Sequence, residues 1–329
     1  MLQAADGANA NSNPTRAAFL KIIERPRVPP APEVKSLAGI NGLSEEHFMF
    51  APEAGQRVPG ILLKGAKEGR RPVVIALHGT GGKKENNLGI LKELAGLGFI
   101  AVAIDARFHG ERTRSGSGDA EYDDEIAQSW RTGNGHPFLY DTVWDVMRLI
   151  DYLETRPDVD ASRIGLIGFS KGGMETYLAA AADPRIAVAV PCIGVQCFRW
   201  GLENDAWQAR VGTIQKAVNA AAKDAGSKID AVFAKKFFDR LVPGIYAEFD
   251  GPIMLTLITP RPLLVINGDS DANTPLTGLM ECDAAARKAY HESGADEKYI
   301  LRVEEKTAHA VNPAAHKAAI EWLTKWLAP

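Results

Sequence analysis

A serine in the segment Gly168-Phe169-Ser170-Lys171-Gly172 has the surroundings of a nucleophile. An apolar run at residues 163–167 precedes it, and good helix formers follow at residues 173–181. A serine on a sharp turn between a strand and a helix is pushed out of the sheet, and the helix N-terminus favours negative charge developing beside it. An ordinary strand-to-helix turn is the alternative. The context favours a nucleophile elbow with Ser170 as the attacking group.

A serine hydroxyl needs a base, and His309 is the histidine best placed to supply one. It lies in Lys306-Thr307-Ala308-His309-Ala310, between the last predicted strand and the last predicted helix. The other six histidines precede Ser170 or fall inside predicted helices. A histidine of an ordinary surface loop is the alternative. We expect His309 to be the general base.

The acid that orients such a histidine should follow the predicted strand at residues 262–266. The loop there offers Asp269 and Asp271. The pattern G-x-x-D, with a proline four residues further on, favours Asp271. Asp269 at the strand end fits a turn or capping carboxylate better. Asp271 is therefore the predicted third member of the catalytic group.

Backbone amides beside the serine should hold the oxyanion. One is the N–H of Lys171, directly after the nucleophile. The other should come from the glycine-rich turn at residues 78–82, where Thr80 is the first choice and Gly79 or Gly81 the alternatives. A phosphate-binding loop is disfavoured because Lys83 does not have the spacing of G-x-x-x-x-G-K-[ST].

Strands and helices alternate along most of the chain. Continuous β-branched strands, with helices between them, predict a doubly wound, mostly parallel α/β sheet with right-handed crossovers. Two short strands at residues 48–50 and 58–63 predict an antiparallel start. Residues 1–33 are expected to form a tail and lead-in, and residues 34–329 a single domain.

Two long excursions, at residues 106–140 and 196–259, leave from the carboxyl ends of strands, where open α/β sheets bind ligands. The one at residues 196–259 is predicted to form a helical cap over Ser170; a peripheral decoration or an oligomer contact is the alternative. Five side chains of the excursions are candidates for contact with a substrate, although loop stabilisation and core packing are alternatives for them: Arg107, His109, Phe198, Trp200 and Trp207.

Composition excludes several classes of protein. A net charge of −3 disfavours nucleic acid as a partner, and no apolar run approaches the ~20 residues of a membrane span.

The three cysteines, Cys192, Cys197 and Cys282, fit buried free thiols better than a disulfide framework. No metal or organic cofactor is expected. Self-association stays open, and so does the choice between a cytoplasmic protein and an exported one without its signal peptide.

The chain resembles the α/β-hydrolase superfamily over residues 40–327. The resemblance rests on the glycine-rich turn at residues 78–82, the elbow around Ser170, the loop at residues 268–271 and His309. Within the superfamily the chain looks like the branch of dienelactone hydrolases, acetyl xylan esterases and prolyl-oligopeptidase-like enzymes. It departs from the dienelactone hydrolases in having a serine nucleophile where they use cysteine. It departs from the oligopeptidases in that no β-propeller precedes the hydrolase domain. Three segments, at residues 181–185, 194–200 and 204–210, resemble largely uncharacterised plant and bacterial hydrolases.

These observations predict a serine hydrolase that cleaves a carboxylic ester of a small molecule through an acyl-enzyme on Ser170. The same triad suits a small peptidase or amidase, for which Glu203 and Asp205 are candidate partners of a substrate amine. It also suits a lactonase or thioesterase. A non-catalytic module that binds a small molecule is the alternative of another class.

Overall fold

Apolar runs without a polar face form the central strands of the sheet. In the computed structural model, which describes residues 13–114 and 118–329, the strands Arg71–Leu77 and Ile100–Ile104 are buried at every position. Strands of this kind are covered on both faces. Val73 and Ile75 accordingly belong to one apolar cluster, and Val74 and Ala76 to the other.

The nine strands of the described residues are β1 Glu33–Ile40, β2 Leu43–Phe50, β3 Val58–Lys64, β4 Arg71–Leu77, β5 Ile100–Ile104, β6 Val159–Phe169, β7 Ile186–Cys192, β8 Leu263–Gly268 and β9 Tyr299–Glu304. They form one sheet in the order β1-β2-β3-β5-β4-β6-β7-β8-β9. Its first three strands pair antiparallel, β3 is antiparallel to β5, and all pairs from β5 to β9 are parallel. The predicted α/β fold with an antiparallel start is therefore confirmed.

Helices cover both faces of this sheet. The helices are α1 Pro14–Ile23, α2 Leu88–Gly96, α3 Gly118–Thr132, α4 Tyr140–Glu154, α5 Lys171–Ala182, α6 Phe198–Glu203, α7 Gln208–Val211, α8 Gln215–Asp224, α9 Ala231–Leu241, α10 Gly251–Thr256, α11 Leu276–Glu292 and α12 Pro313–Leu327. Apolar residues of α4, α5 and α11 join the cluster that contains Val73. Those of α2 and α12 join the cluster that contains Val74. In the part of the chain that the structure describes, no helix is long and apolar enough to span a membrane.

Directly after the predicted lead-in, the sheet begins with a strand that the sequence did not predict. Strand β1 pairs antiparallel with β2 at the edge of the sheet, and Val34 and Leu37 on it are exposed. Its sequence, EVKSLAGI, lacks the apolar run by which the buried strands were found. The part of the predicted tail at residues 1–12 lies outside the described residues, and the boundary at residue 33 stays a prediction.

The excursion at residues 196–259 contains the five helices α6 to α10. It packs against α3, which belongs to the first excursion. Trp130 of α3 meets Phe233 and Phe237 of α9, with ring centroids 5.6 and 5.7 Å apart. The two excursions thus share an aromatic core. That the second one acts as a cap over Ser170 stays a prediction.

Candidate active site

Ser170 sits on a strained turn between β6 and α5. Its backbone angles are φ 56° and ψ −114°, which non-glycine residues rarely adopt. Two hydrogen bonds hold it there: its N–H donates to the carbonyl of Cys192 at 2.9 Å, and its carbonyl accepts from Met174 N–H at 3.0 Å. Such strain costs of order 1–3 kcal/mol and persists where the surroundings enforce it. The turn has the backbone geometry expected of the predicted nucleophile elbow.

The glycines of the elbow allow α5 to approach the sheet closely. A Cβ on Gly168 would lie 2.1 Å from the carbonyl oxygen of Gly172, and one on Gly172 would lie 2.5 Å from that of Leu77. Neither oxygen can move far because both belong to regular backbone. Glycine is therefore required at both positions for the helix to begin directly after Ser170.

A continuous chain of hydrogen bonds joins the three residues predicted for catalysis. Ser170 Oγ lies 2.8 Å from His309 Nε2. On the other side of the ring, His309 Nδ1 lies 2.8 and 3.0 Å from the two carboxylate oxygens of Asp271. The Asp271 side chain is fully buried, whereas that of His309 is 27 % exposed. With Nδ1 donating to the carboxylate, Nε2 is left as an acceptor for the serine proton.

The two carboxylates of the acid loop have different partners. Asp271 Oδ1 also accepts from the N–H groups of Asn273 at 2.8 Å and Thr274 at 3.2 Å, which fixes its orientation. Asp269 instead accepts from the N–H groups of Lys306 and Thr307 at 2.9 and 3.2 Å. It therefore ties the acid loop to the loop that carries the histidine. This matches the capping role expected for Asp269.

The glycine-rich turn after β4 lies directly beside the serine. A Cβ on Gly79 would be 3.5 Å from the Cβ of Ser170. The N–H of Gly82 donates to Gly79 O at 3.1 Å, and the N–H of Gly81 donates to His109 Nε2 at 3.2 Å. Gly81 is thus already committed, which leaves Thr80 and Gly79 as the residues of this turn that could supply an oxyanion donor.

Lys171 is the first residue of α5, so its N–H has no partner within the helix. Its side chain turns inward: Nζ lies 2.7 Å from Glu175 Oε1, and both side chains are 1 % exposed. Burial raises the pKa of Glu175, although the ammonium beside it opposes that rise. The Lys171 charge is therefore paired inside the protein, and its backbone N–H stays the predicted oxyanion donor.

Two buried histidines hold the loops around the oxyanion turn. His78 Nδ1 lies 2.8 Å from Gly79 O, and its Nε2 accepts from Ala106 N–H at 3.1 Å. His109 Nδ1 lies 2.7 Å from Arg107 O, while its Nε2 accepts from Gly81. Each ring uses one nitrogen as donor and one as acceptor, which requires the neutral form. Burial, followed by the charge of Lys171, lowers the pKa of His78 to about 3 and that of His109 to about 2.

These depressed pKa values predict that acid destabilises the fold. Below pH ~6.5 the unfolded chain protonates its histidines while the folded chain does not, so stability falls as the pH falls, down to the folded pKa values. Each of the two histidines should lower the free energy of unfolding by about 2 kcal/mol at pH 5 relative to pH 7.5. We expect His109→Gln to lose less stability between these pH values than the wild type in urea unfolding. His291→Gln, at a side chain that is 80 % exposed, is the control and should behave as the wild type. An equal loss in His109→Gln would contradict the assignment.

Arg107 and His109, candidates for substrate contact from the sequence, lie in the interior instead. Arg107 donates to Asp145 at 3.0 and 2.9 Å and forms an ion pair with Glu53 at 2.7 Å. Both ring nitrogens of His109 are bonded within the loops. The alternative considered for them, stabilisation of the loop after β5, accounts for these contacts, because a charged or polar group at this depth needs a partner inside the protein.

The three aromatic candidates of the second excursion also make internal contacts. Phe198 is 2 % exposed and packs against Phe238 and Tyr246, at centroid distances of 6.2 and 6.1 Å. Trp200 is half-buried against Gly278, and Trp207 donates from Nε1 to Asp205 at 2.9 Å. Their roles in substrate binding stay predictions, and for Phe198 core packing accounts for its position. Glu203 is exposed and paired with Arg199 at 2.8 Å.

A cavity of about 580 Å³ adjoins the elbow and the oxyanion turn. Its lining combines peptide groups of the glycine-rich turn with polar and apolar side chains. The lining residues are His78, Gly79, Thr80, Gly81, Gly82, Asn86, Asn87, Ile90, Phe169, Ile193, Val311 and His316. A cavity of this size is large enough for a small organic group. It reaches the elbow at Phe169, while Ser170 and His309 are not among its lining residues.

The residues that surround Asp271 were not among those predicted from the sequence. Arg210 of α7 donates from Nη2 to Thr274 Oγ1 at 2.6 Å and from Nε to Gln196 Oε1. Gln196 and Arg210 both lie in segments that resemble the uncharacterised plant and bacterial hydrolases. That likeness was the only indication in the sequence that these segments matter. It does not say which of their side chains contact the acid loop.

The three cysteines are free and buried, as predicted. Burial raises the pKa of Cys197 to about 12, with Asp250 adding to the effect. Among residues 13–114 and 118–329, no group of three or more His, Cys, Asp or Glu side chains is arranged to hold a metal ion.

Comparisons with known proteins point to one family. The family model described as "Glucuronyl esterase, fungi" matches residues 62–294. The chain is 26 % identical over 286 residues to YtaP of Bacillus subtilis (strain 168), covering 83 % of this chain and 84 % of that protein. It is 31 % identical over 173 residues to 4-O-methyl-glucuronoyl methylesterase 1 of Sodiomyces alcalophilus, covering 50 % of this chain and 33 % of that protein.

A solved structure supports the fold assignment. The acetyl xylan esterase from Paenibacillus sp. R4 superposes with a TM-score of 0.60 at 19 % sequence identity, covering 99 % of this chain and 97 % of that one. At this identity the likeness concerns the fold alone.

Proposed function

Because the chain belongs to the glucuronyl esterase family and is a carboxylic ester hydrolase, we propose that Ser170, His309 and Asp271 are its catalytic triad. The observation that carries the proposal is the unbroken hydrogen-bond chain from Ser170 Oγ through both ring nitrogens of His309 to the buried Asp271. A buried carboxylate, an imidazole and a serine on an elbow form the arrangement that activates a hydroxyl at neutral pH.

In the proposed first half-reaction, Ser170 Oγ attacks the ester carbonyl carbon while His309 Nε2 takes its proton. The resulting imidazolium donates from Nδ1 to Asp271, which stabilises its charge without taking the proton. The carbonyl electrons move to oxygen, and the N–H groups of Lys171 and Thr80 donate to that oxyanion. When the carbonyl re-forms, the bond to the alcohol breaks and His309 gives its proton to the leaving alkoxide.

The second half-reaction repeats these steps with water in place of serine. His309 Nε2 takes a proton from water, the hydroxide attacks the acyl carbon, and the oxyanion occupies the same two amides. Collapse breaks the acyl–Oγ bond and returns the proton to Ser170. The partial positive charge at the N-terminus of α5 favours both oxyanions, since Lys171 begins that helix.

The substrate class we propose is an ester of a sugar uronic acid. The family match and the likeness to a 4-O-methyl-glucuronoyl methylesterase support it. The cavity of about 580 Å³ beside the elbow supports it too, because peptide groups and the side chains of Asn86 and His316 line it together with Phe169 and Val311. A sugar ring can present its hydroxyl groups to the polar lining groups and its C–H faces to Phe169 and Val311.

A panel of methyl esters tests this class without changing the leaving alcohol. We expect kcat/KM for methyl 4-O-methylglucuronate to exceed that for methyl hexanoate by ~10-fold or more, because polar groups built to bind hydroxyls discriminate strongly against analogues that lack them. The measurement is methanol release, with Ser170→Ala as the blank. Equal rates, or a preference for methyl hexanoate, would contradict the uronate class.

A further inference from the structure

A buried arginine lies next to the acid loop and has no carboxylate partner. Arg210 is 2 % exposed, on the short helix α7 of the second excursion. Its Nε donates to Gln196 Oε1, and its Nη2 donates to Thr274 Oγ1 at 2.6 Å. Within the described part of the chain, its Nη1 has no hydrogen-bond partner, and no Asp or Glu oxygen lies within 4.0 Å of the guanidinium.

A guanidinium in this position needs a nearby negative charge. Two neutral acceptors do not replace the water that a buried cation loses. Burial lowers the pKa of Arg210 to about 10, and the charge of Asp271 is the largest effect that opposes this. Tyr177 of α5 is the other titratable group that faces Arg210, and burial raises its pKa well above 10, which keeps it neutral. Asp271 is therefore the counter-charge of Arg210.

Thr274 joins the two charges. Its hydroxyl accepts from Arg210 and donates to Ile193 O at 3.4 Å, and its N–H donates to Asp271 Oδ1 at 3.2 Å. One residue thus fixes the carboxylate through its backbone while its side chain is held by the arginine. Asn273 N–H and the His309 ring are the other groups bonded to the carboxylate. No Lys or Arg nitrogen of the described residues contacts the Asp271 oxygens directly.

We propose that Arg210 is a positioning residue for the hydrolysis at Ser170: it holds the Asp271 loop through Thr274, and its charge balances that of Asp271. The inference rests on the proposed triad and extends it to the second excursion. Gln196 completes the arrangement, because it orients the guanidinium from the segment directly after β7. The second excursion therefore contributes to the active site the positive charge of Arg210, close to Asp271.

The charge has a definite effect on the pH dependence of hydrolysis. Removing a positive charge beside Asp271 would strengthen the attraction between that carboxylate and an imidazolium on its other side. The variant should therefore favour the protonated, inactive base. The acidic limb of the kcat/KM profile should then move upward, whereas a loss of packing alone would lower the rate at all pH values and leave the limb in place.

The test compares Arg210→Met and Arg210→Lys with the wild type in pH profiles of kcat/KM. We expect the acidic limb of Arg210→Met to rise by about 0.5–1 pH unit. Arg210→Lys keeps the positive charge but loses the planar guanidinium with its several donors. The acidic limb of its kcat/KM profile should therefore coincide with that of the wild type, even if its rate is lower. Arg261→Met is the matched control. That arginine is largely buried, donates to backbone carbonyls and does not contact the acid loop, so its removal should leave the limb unchanged.

Several results would overturn the inference. One is a limb that stays in place in Arg210→Met; another is a limb that moves as far in Arg210→Lys as in Arg210→Met. If Arg210→Met does not fold, Arg210→Gln decides, since it removes the charge while its amide can still donate to Thr274 Oγ1, and it should move the limb upward; an unmoved limb there overturns the inference. Labelling of the wild type by a fluorophosphonate keeps the two proposals apart, because absence of label on Ser170 would reject the triad itself.

Discussion

Replacing Ser170 with alanine should lower kcat for ester hydrolysis by a factor on the order of 10⁵ or more. The methyl group cannot form the acyl-enzyme, and the amides of Lys171 and Thr80 would stabilise only a direct attack by water. The oxyanion donors and substrate binding should leave a residual rate above that of the uncatalysed reaction. Steady-state hydrolysis of the methyl ester panel measures the loss.

Ser162→Ala is the matched control for that experiment. Ser162 is exposed and donates to Asp160 at 2.6 Å, away from the elbow. Its replacement should leave kcat within about 2-fold of the wild type, as expected for a surface change of little energetic effect. A Ser170→Ala variant that keeps a tenth or more of the wild-type kcat would rule out Ser170 as the nucleophile.

Replacing Asp271 with asparagine should lower kcat by about 10³–10⁴-fold while the protein stays folded. An amide NH₂ in place of a carboxylate oxygen would favour the His309 tautomer that carries its proton on Nε2. That nitrogen could then no longer accept the proton of Ser170. The substitution would also remove the negative charge of Asp271, which stabilises the imidazolium. The effect should appear in kcat at constant thermal stability, measured by hydrolysis and by thermal unfolding.

Asp269→Asn separates this effect from a general disturbance of the loop. Asp269 lies two residues earlier and bonds the N–H groups of Lys306 and Thr307, not the ring of His309. Its replacement should weaken the link between the two loops and lower kcat by less than 10-fold. Equal losses of kcat in the two variants would contradict the assignment of Asp271 as the acid.

The sequence predicted those parts of the site that depend on local pattern and chain order. The elbow around Ser170 follows from glycines between an apolar run and a helix former, and the structure places these glycines where a Cβ would collide with backbone. Chain order then left one loop for the acid and one for the base. The preference for Asp271 over Asp269 rested on a G-x-x-D pattern, and the structure gives the two carboxylates separate partners.

What the sequence did not predict depends on tertiary contacts. For Arg107 and His109 the sequence left substrate contact and loop stabilisation open, and only the fold shows that Asp145 and the peptide groups of the loops bind them in the interior. Strand β1 lacks an apolar run because it lies at an exposed edge. Arg210 is remote in sequence from Thr274, and only the folding of the second excursion brings them together.

An acyl-enzyme on Ser170 can be detected by trapping the intermediate. The wild type is mixed with p-nitrophenyl acetate, quenched in acid within the burst and digested, and the peptide that contains residues 168–172 is analysed by mass spectrometry. We expect a stoichiometric burst and an acetyl group on Ser170, both absent from Ser170→Ala. Turnover with the acetyl group on another residue, or a burst that persists in Ser170→Ala, would contradict it.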